Sequence, residues 1–405
     1  MVSIIPFAAW RPAEREAATF ACPPYDVLTR AEAAALAPTH RFLSVIRPEI
    51  GLPDTVGEDD QQAHDLARAN LENFEASGTL IHDNDPRLYV YRQHGCGHVQ
   101  TGIVACVRVA DYRDGIIKQH ERTLVAKEQN RIRHFQATNA QTEPVFLMYR
   151  RSGGIDELVE RALEQADPSY DFTSDDGVRH QLWPLSHEVS DAVVSAFTPV
   201  DFLYIADGHH RSASAVKVAG ERGLDADDPR ASIMAVIFPA DDLKVLAYNR
   251  VVADLAGRSS ADFIAALAAA DFDVHEVADA DAAQPLSRAE FGVYTGGRWY
   301  AVRYVGALSG AVVADLDTSI LTRTVLEPLL NIHDLRTDAR ISFIGGGAGT
   351  HALEEAAGSS GVAFSLFPTS VHDIMAVSDA GEIMPPKSTW FEPKLASGLF
   401  IHSLA

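Results

Sequence analysis

The chain is poor in cysteine, in basic residues and in long apolar runs, and each shortage removes a class of function. Cys22, Cys96 and Cys106 are the only cysteines, an odd number with no C-x-x-C pair. That argues against a disulfide framework and a cysteine zinc site, and it suits a reducing cytoplasm, the expected location. Lys and Arg total 34 against 56 Asp and Glu, a formal charge of -22. Binding to nucleic acid needs the opposite balance, so no such partner is expected. No apolar run approaches the roughly 20 residues of a membrane span. The opening Met1-Val2-Ser3-Ile4-Ile5-Pro6 has no basic stretch leading into a long apolar core, so neither a membrane nor a signal peptide is expected. The phosphate-loop pattern G-x-x-x-x-G-K-[ST] and the zinc-protease pattern H-E-x-x-H are both missing. The run Gly345-Gly346-Gly347-Ala348-Gly349 fails the dinucleotide fingerprint, because its last required glycine falls on Thr350, and it reads as a turn.

What remains is an ordinary globular composition, 47% hydrophobic and 22% charged over 405 residues, enough for two or three domains. The most informative stretch runs from Leu203 to Gly220. Leu203-Tyr204-Ile205-Ala206 is a short apolar run suited to a buried strand. Gly208 permits a tight turn. Ser212 to Ala219 is rich in good helix formers, with Gly220 as a stop. Asp207, Gly208, His209, His210, Arg211 and Ser212 then sit at a helix N-terminus. Unpaired N–H groups and the helix dipole favour an anion there. Three potential cations, His209, His210 and Arg211, point to the phosphates of a nucleotide. The plainer alternative is a generic strand–glycine–helix turn.

Elsewhere the reading is coarser. Thr29 is placed to cap a short helix over Arg30–Leu36, with Glu32 at the capping-box position. Phe42 to Ile46 reads as a strand. Gln61 to Ala76 reads as an amphipathic helix with Leu66, Ala69, Leu71 and Phe74 on its apolar stripe. Leu88–Gln93 and Gln100–Val109 read as a hairpin around Gly95-Cys96-Gly97. A strand ends at His120, Glu121 and Arg122, and a helix over about Ala126–Thr138 carries Arg131 and His134. Glu143-Pro144 leads into the strand Val145–Tyr149. Val245 to Val251 reads as one strand and Thr318 to Leu330 as one helix. The C-terminal stretch Met384-Pro385-Pro386-Lys387-Ser388-Thr389-Trp390-Phe391-Glu392-Pro393-Lys394 carries Trp and Phe, so it packs back on the body, with Lys387 or Lys394 near the pocket.

Ile116 to Arg122, the following helix, Val145–Tyr149 and Tyr204 to Arg211 together resemble the nucleotide-binding core of the ParB/sulfiredoxin type, and within it the free serine kinases. The whole chain resembles a large bacterial family of unknown function, through Pro23-Pro24-Tyr25-Asp26-Val27, His120-Glu121-Arg122-Thr123, Ala206 to Arg211 and Pro385 to Lys394. The resemblance implies an α+β fold: a core over 111–250 flanked by N-terminal (1–110) and C-terminal (251–405) α/β segments. It implies phosphoryl transfer from ADP or ATP to a small hydroxyl-bearing amino acid, free L-serine giving O-phosphoserine first among them. Glu121 would be the base, beside His120. Residues 207–212 would hold the phosphates, and Arg122, Arg131, Lys387 and Lys394 would line the pocket. Mg²⁺ is implied as cofactor; no metal ligands are assigned. The competing reading is a non-catalytic nucleotide-binding regulator of ParB type. A sulfiredoxin-like reductase is disfavoured, because it needs a reactive cysteine inside a Gly-Cys-His-Arg turn and this chain has Gly208-His209-His210-Arg211. A metal hydrolase built on His209 and His210 is disfavoured too, since adjacent side chains project apart.

Overall fold

The computed structural model describes residues 2–405. The chain divides into two compact units. The first comprises residues 1–119, 123–243 and 393–405, and the second residues 120–122 and 244–392. Residues 1–110 and 111–243 therefore share one unit, and the last thirteen residues return to it. Among the described residues no helix is long and apolar enough to cross a membrane.

The first unit is built on a mixed sheet. Its strands are β1 (Ile4–Ile5), β2 (Tyr89–Gly95), β3 (His98–Arg108), β4 (Ile117–Lys118), β5 (Val145–Tyr149), β6 (Tyr170–Thr173), β7 (Arg179–Pro184), β8 (Leu203–Asp207) and β9 (Ser232–Pro239). The order is β4-β8-β5-β9-β3-β2-β7-β6, with β1 added to β3. β8 runs parallel to β4 and antiparallel to β5, and β9 runs parallel to β5. The 203–207 and 145–149 strands are thus neighbours, and the expected hairpin is found over 89–108. Central strands read as continuous apolar runs because both faces are covered: all eight residues of β9 and all five of β5 are buried. The helices Val125–Thr138 (α3) and His209–Glu221 (α6) pack together on the same unit, α3 also against α2 (Gln61–Ala76).

Two expectations for this unit need correction. Phe42 to Ile46 is not a strand but a helical turn, with Val45 and Ile46 N–H bonded to the Phe42 carbonyl. The buried positions 42, 43, 45 and 46 have helical spacing, and so short an apolar run does not separate the two forms. The inward face of α2 is Ala63, His64, Ala67 and Leu71, with half-buried Phe74 packed on Phe20; of the expected stripe Leu71 and Phe74 thus face the core, Leu66 is half-buried and Ala69 is exposed. Small residues face inward there because α3 approaches closely. By contrast α1 (Arg30–Leu36) starts at Thr29 with both halves of the capping box formed.

The second unit is an antiparallel six-stranded sheet: β10 (Tyr248–Val252), β11 (Phe272–Val277), β12 (Glu290–Thr295), β13 (Arg298–Tyr304), β14 (Ile341–Gly345) and β15 (Val362–Leu366). Its order is β11-β13-β12-β15-β10-β14. The expected strand 245–251 is two strands. Lys244–Leu246 pairs with Trp390–Glu392, and the chain changes partner at Ala247 before β10 begins. The expected helix 318–330 is shorter: an α-helical turn at Asp317–Leu321 widens into a π-helical one at Thr322–Leu326.

Arg250 on β10 is fully buried, and among the described residues no carboxylate lies within ion-pair distance of it. Its guanidinium donates to the Tyr248 carbonyl, and its Nε has no acceptor. Burial pushes its pKa down to about 10, the mark of a charge that loses hydration without gaining a counter-ion. Arg250→Met keeps most of the volume and removes the charge, so urea unfolding of the second unit should shift to higher concentration. A lower midpoint would show that the Tyr248 bond outweighs the desolvation cost.

Candidate functional site

The candidate site is the β8–α6 junction. Leu203, Tyr204, Ile205 and Ala206 are buried, so the strand is locked in the sheet. Its register against β5 slips between Ile205 and Asp207, leaving Asp207 opposite Phe146. Such an irregularity re-aims the next side chain. Gly208 follows at φ 95°, in the left-handed region. A Cβ there would also meet the Arg211 guanidinium at 3.1–3.2 Å. Glycine is therefore required twice, for the turn and for the approach of its neighbour. No side chain caps the N-terminus of α6. The Ser212 N–H returns to the Gly208 carbonyl at 2.9 Å, as the first helical bond. The N–H groups of His210 and Arg211 precede that bond and have no partner within the helix.

Charged side chains are packed under this turn. Arg211 is 4% exposed; it donates to the Pro144 carbonyl at 2.5 Å and lies 3.9 Å from the Asp207 carboxylate. Lys394 reaches the same carboxylate oxygen at 3.3 Å, and the other oxygen accepts the Gly208 N–H at 2.8 Å. Burial alone would push the Asp207 carboxyl up, but Lys394, Arg211 and these bonds outweigh it and hold it well below the usual range. Behind them Glu143, 2% exposed, accepts from the Tyr25 N–H at 3.2 Å and the Ser397 hydroxyl at 3.0 Å. Its other oxygen lies 3.5 Å from Arg131, whose guanidinium sits 4.0 Å from the centre of the Tyr25 ring. Arg131, Arg211 and Lys394 thus face Asp207 and Glu143, and the Asp26 carboxylate also acts on Arg211, so the cations beside the uncapped helix start are matched by carboxylates.

His210 contributes less charge than the sequence suggested. Burial first, then Lys127 and Arg211, push His210 down to about 4, so it is neutral at pH 7. Its Nε2 accepts the Leu124 N–H at 2.9 Å. His209 is buried at 5% exposure. The missing charge comes from Lys394, one of the two lysines expected near the pocket. Lys387 lies in the second unit at φ 61°, its ammonium 5.2 Å from the Tyr248 ring centre. His120, Glu121 and Arg122 also belong to the second unit, where the His120 carbonyl accepts the Met384 N–H at 2.9 Å. Arg131 stands behind the turn on Glu143 and Tyr25, and Ser212 bonds back to Gly208. Glu143 was missed: an isolated Glu-Pro before a strand has no motif that marks it as a counter-ion.

The implied Mg²⁺ does not fit the carboxylates of this turn. The oxygens of Asp207 are held by Gly208 and Lys394, and those of Glu143 by Tyr25, Ser397 and Arg131. Ammonium and guanidinium groups occupy the positions a divalent cation would take.

Residues 4–319 match the DUF1015 family, proteins of unknown function. The chain belongs to that family. Among curated proteins nothing matches. Solved structures give distant likenesses. A free serine kinase variant in complex with ADP is 15% identical, with 71% of this chain and 87% of that chain covered and a TM-score of 0.38. SbnI from Staphylococcus aureus, truncated at its C-terminus, is 12% identical, with 74% and 87% covered and a TM-score of 0.40. A conserved hypothetical protein from Pyrococcus furiosus is 13% identical, with 74% and 95% covered and a TM-score of 0.37.

Two outcomes follow for the turn. Gly208→Ala should destabilise the first unit by more than about 1 kcal/mol, read as a lower denaturation midpoint, because both φ and the Arg211 contact oppose a methyl group. His210 has a folded pKa depressed to about 4. Its unfolded value is about 6.5, so between these limits the unfolded chain binds the extra proton. Stability falls as pH drops through that window. His210→Gln should flatten the fall in melting temperature between pH 7 and pH 4; an unchanged slope would show that the other histidines account for it.

Proposed function

We propose that the β8–α6 junction binds the phosphates of a nucleotide, and that the protein is a small-molecule kinase. The reaction is transfer of a phosphoryl group from ADP or ATP to a hydroxyl acceptor, free L-serine giving O-phosphoserine being the leading candidate. The observation that carries the reading is the uncapped start of α6, opened by Gly208, with the Arg211 guanidinium beneath it and the Lys394 ammonium on Asp207 beside it. Backbone N–H groups aimed at one point and a nearby cationic field are what an anionic phosphate requires. Arg211, enclosed under Gly208, acts as a fixed positive charge rather than as a reaching finger. Lys394, partly exposed, is the side chain able to exchange Asp207 for phosphate. The nucleotide-binding core of ParB/sulfiredoxin type and the role of Glu121 as general base come from the motif resemblance. A carboxylate base would take the proton of the acceptor hydroxyl as the phosphoryl group arrives. Mg²⁺ is given no ligands and no step.

A regulatory nucleotide-binding role is the second reading. It draws on the division of the chain: Glu121 lies in a three-residue segment counted with one unit, while the residues before and after it belong to the other. In this reading nucleotide binds at the turn and no phosphoryl group is transferred.

The deciding experiment incubates the purified chain with ADP or ATP and each hydroxyl amino acid, and detects phosphorylated product by mass spectrometry. Phosphoserine formation is expected. In Glu121→Gln, nucleotide affinity should hold while turnover falls by about 10²–10⁴-fold, the span for a lost general base. Nucleotide binding with no product from any acceptor would favour the regulator.

A further inference from the structure

A cavity of about 370 Å³ opens in the first unit beside Lys394. Its apolar walls are Pro23, Leu28, Leu36 and Phe172, and Asp175 and Asp176 stand on its lining. Its size is within the roughly 300–1,000 Å³ of small-molecule sites. Two of the walls are stiff. Pro23 belongs to the Pro23-Pro24 turn, whose φ angles are fixed. Phe172 is stacked on His180 with ring centres 5.1 Å apart and planes 25° apart, and His180 is buried. The carboxylates are at the exposed edge: the Asp175 side chain is 75% exposed. Lys394 lines the cavity, and its ammonium lies 3.3 Å from the Asp207 carboxylate. One side chain therefore spans from the cavity to the phosphate turn.

We infer that this cavity takes the nucleoside half of the nucleotide, an inference that rests on the phosphate reading of the β8–α6 turn. Flat apolar walls suit a base, which is held by stacking and by exclusion from water. Carboxylates at the open edge accept hydrogen bonds from ribose hydroxyls, a pairing used in other nucleotide sites. The phosphates leave the cavity past Lys394, whose charge they meet before the helix start. The volume exceeds what free serine fills. The turn Pro23-Pro24-Tyr25 thereby gains a function: Pro23 faces the base, while Tyr25 holds Glu143 and Arg131 behind the phosphate turn.

Calorimetry on the full chain tests this with ADP and pyrophosphate, which share the phosphate chemistry and differ in the nucleoside. ADP should bind at least about tenfold more tightly, an extra 1.4 kcal/mol. Leu36→Trp, which fills the cavity, should abolish that difference and leave pyrophosphate affinity unchanged. Equal affinities for the two ligands in the wild type, or undiminished ADP binding in folded Leu36→Trp, would overturn the assignment while leaving the phosphate turn standing. Binding of neither ligand would overturn the phosphate reading itself. Should Leu36→Trp fail to fold by circular dichroism, Asp175→Asn serves, since that side chain is largely exposed. It should weaken ADP several-fold and spare pyrophosphate; unaltered ADP affinity would again count against the cavity.

Discussion

The contact between Lys394 and Asp207 is the interaction on which the rest of the first unit's site depends. It joins residues 187 positions apart. Asp207 alone at the end of a buried strand would be a costly charge, and Arg211 alone under Gly208 would be another. Together with Lys394 they form a compensated group, and that compensation lets a guanidinium sit directly beneath a helix start. The C-terminal segment is held accordingly. The buried Gln93 donates to the Lys394 carbonyl at 2.7 Å, and the buried Gln100 donates to the Pro393 carbonyl at 3.1 Å. Further on, Ser397 exchanges backbone bonds with Cys22, and Ile401 does so with Trp10. The end of the chain is thus a structural member of the unit that begins it.

The energetics of such a cluster are asymmetric. Breaking a buried ion pair by deleting one partner costs about 3–5 kcal/mol, whereas replacing the whole group by apolar residues often costs nothing. Stability alone does not explain five buried or half-buried charges under one turn. Their placement at the start of α6 is the informative feature. In a medium of low effective dielectric an anion there feels the nearby Arg211 and Lys394 charges more strongly than it would in water. Neutral His210 fits the same logic: a protonated imidazole here would crowd Lys127 and Arg211, and burial beside them prevents it.

How much of this was legible depended on how local the signal is. The strand–Gly208–helix unit, the 89–108 hairpin and the Thr29–Glu32 capping box are each specified by neighbours in sequence, and each was readable. Phe42–Ile46 and the α2 face were not, because five apolar residues fit either periodicity and because the inward face of α2 is chosen by how closely α3 approaches. The order β4-β8-β5-β9 brings strands together that are far apart along the chain, and no pattern within them specifies it. In the site, Asp207, Gly208, Arg211 and Lys394 stood out by residue type and context. The protonation of His210 did not, since it is set by burial. Glu143 was invisible for the same kind of reason: its partners, Tyr25, Arg131 and Ser397, come from three separate segments.

The turn Pro23-Pro24-Tyr25 shows why so many of these features occur at once. Two prolines remove its freedom, so its neighbours can be placed against it without an ordering cost at the moment of binding. The Tyr25 N–H positions Glu143, its carbonyl accepts from Arg47 at 2.9 Å, and its ring lies under Arg131. Arg47 in turn is bonded to Glu49 at 2.7 Å, and both are buried. A rigid element that fixes a carboxylate and two guanidinium groups also forms a wall of the neighbouring cavity through Pro23. Movement of that wall would disturb the Glu143–Arg131 pair, and displacement of that pair would alter the field at the start of α6. The cavity and the β8–α6 turn therefore share a stiff support as well as Lys394, and loosening the one would disturb the charges behind the other.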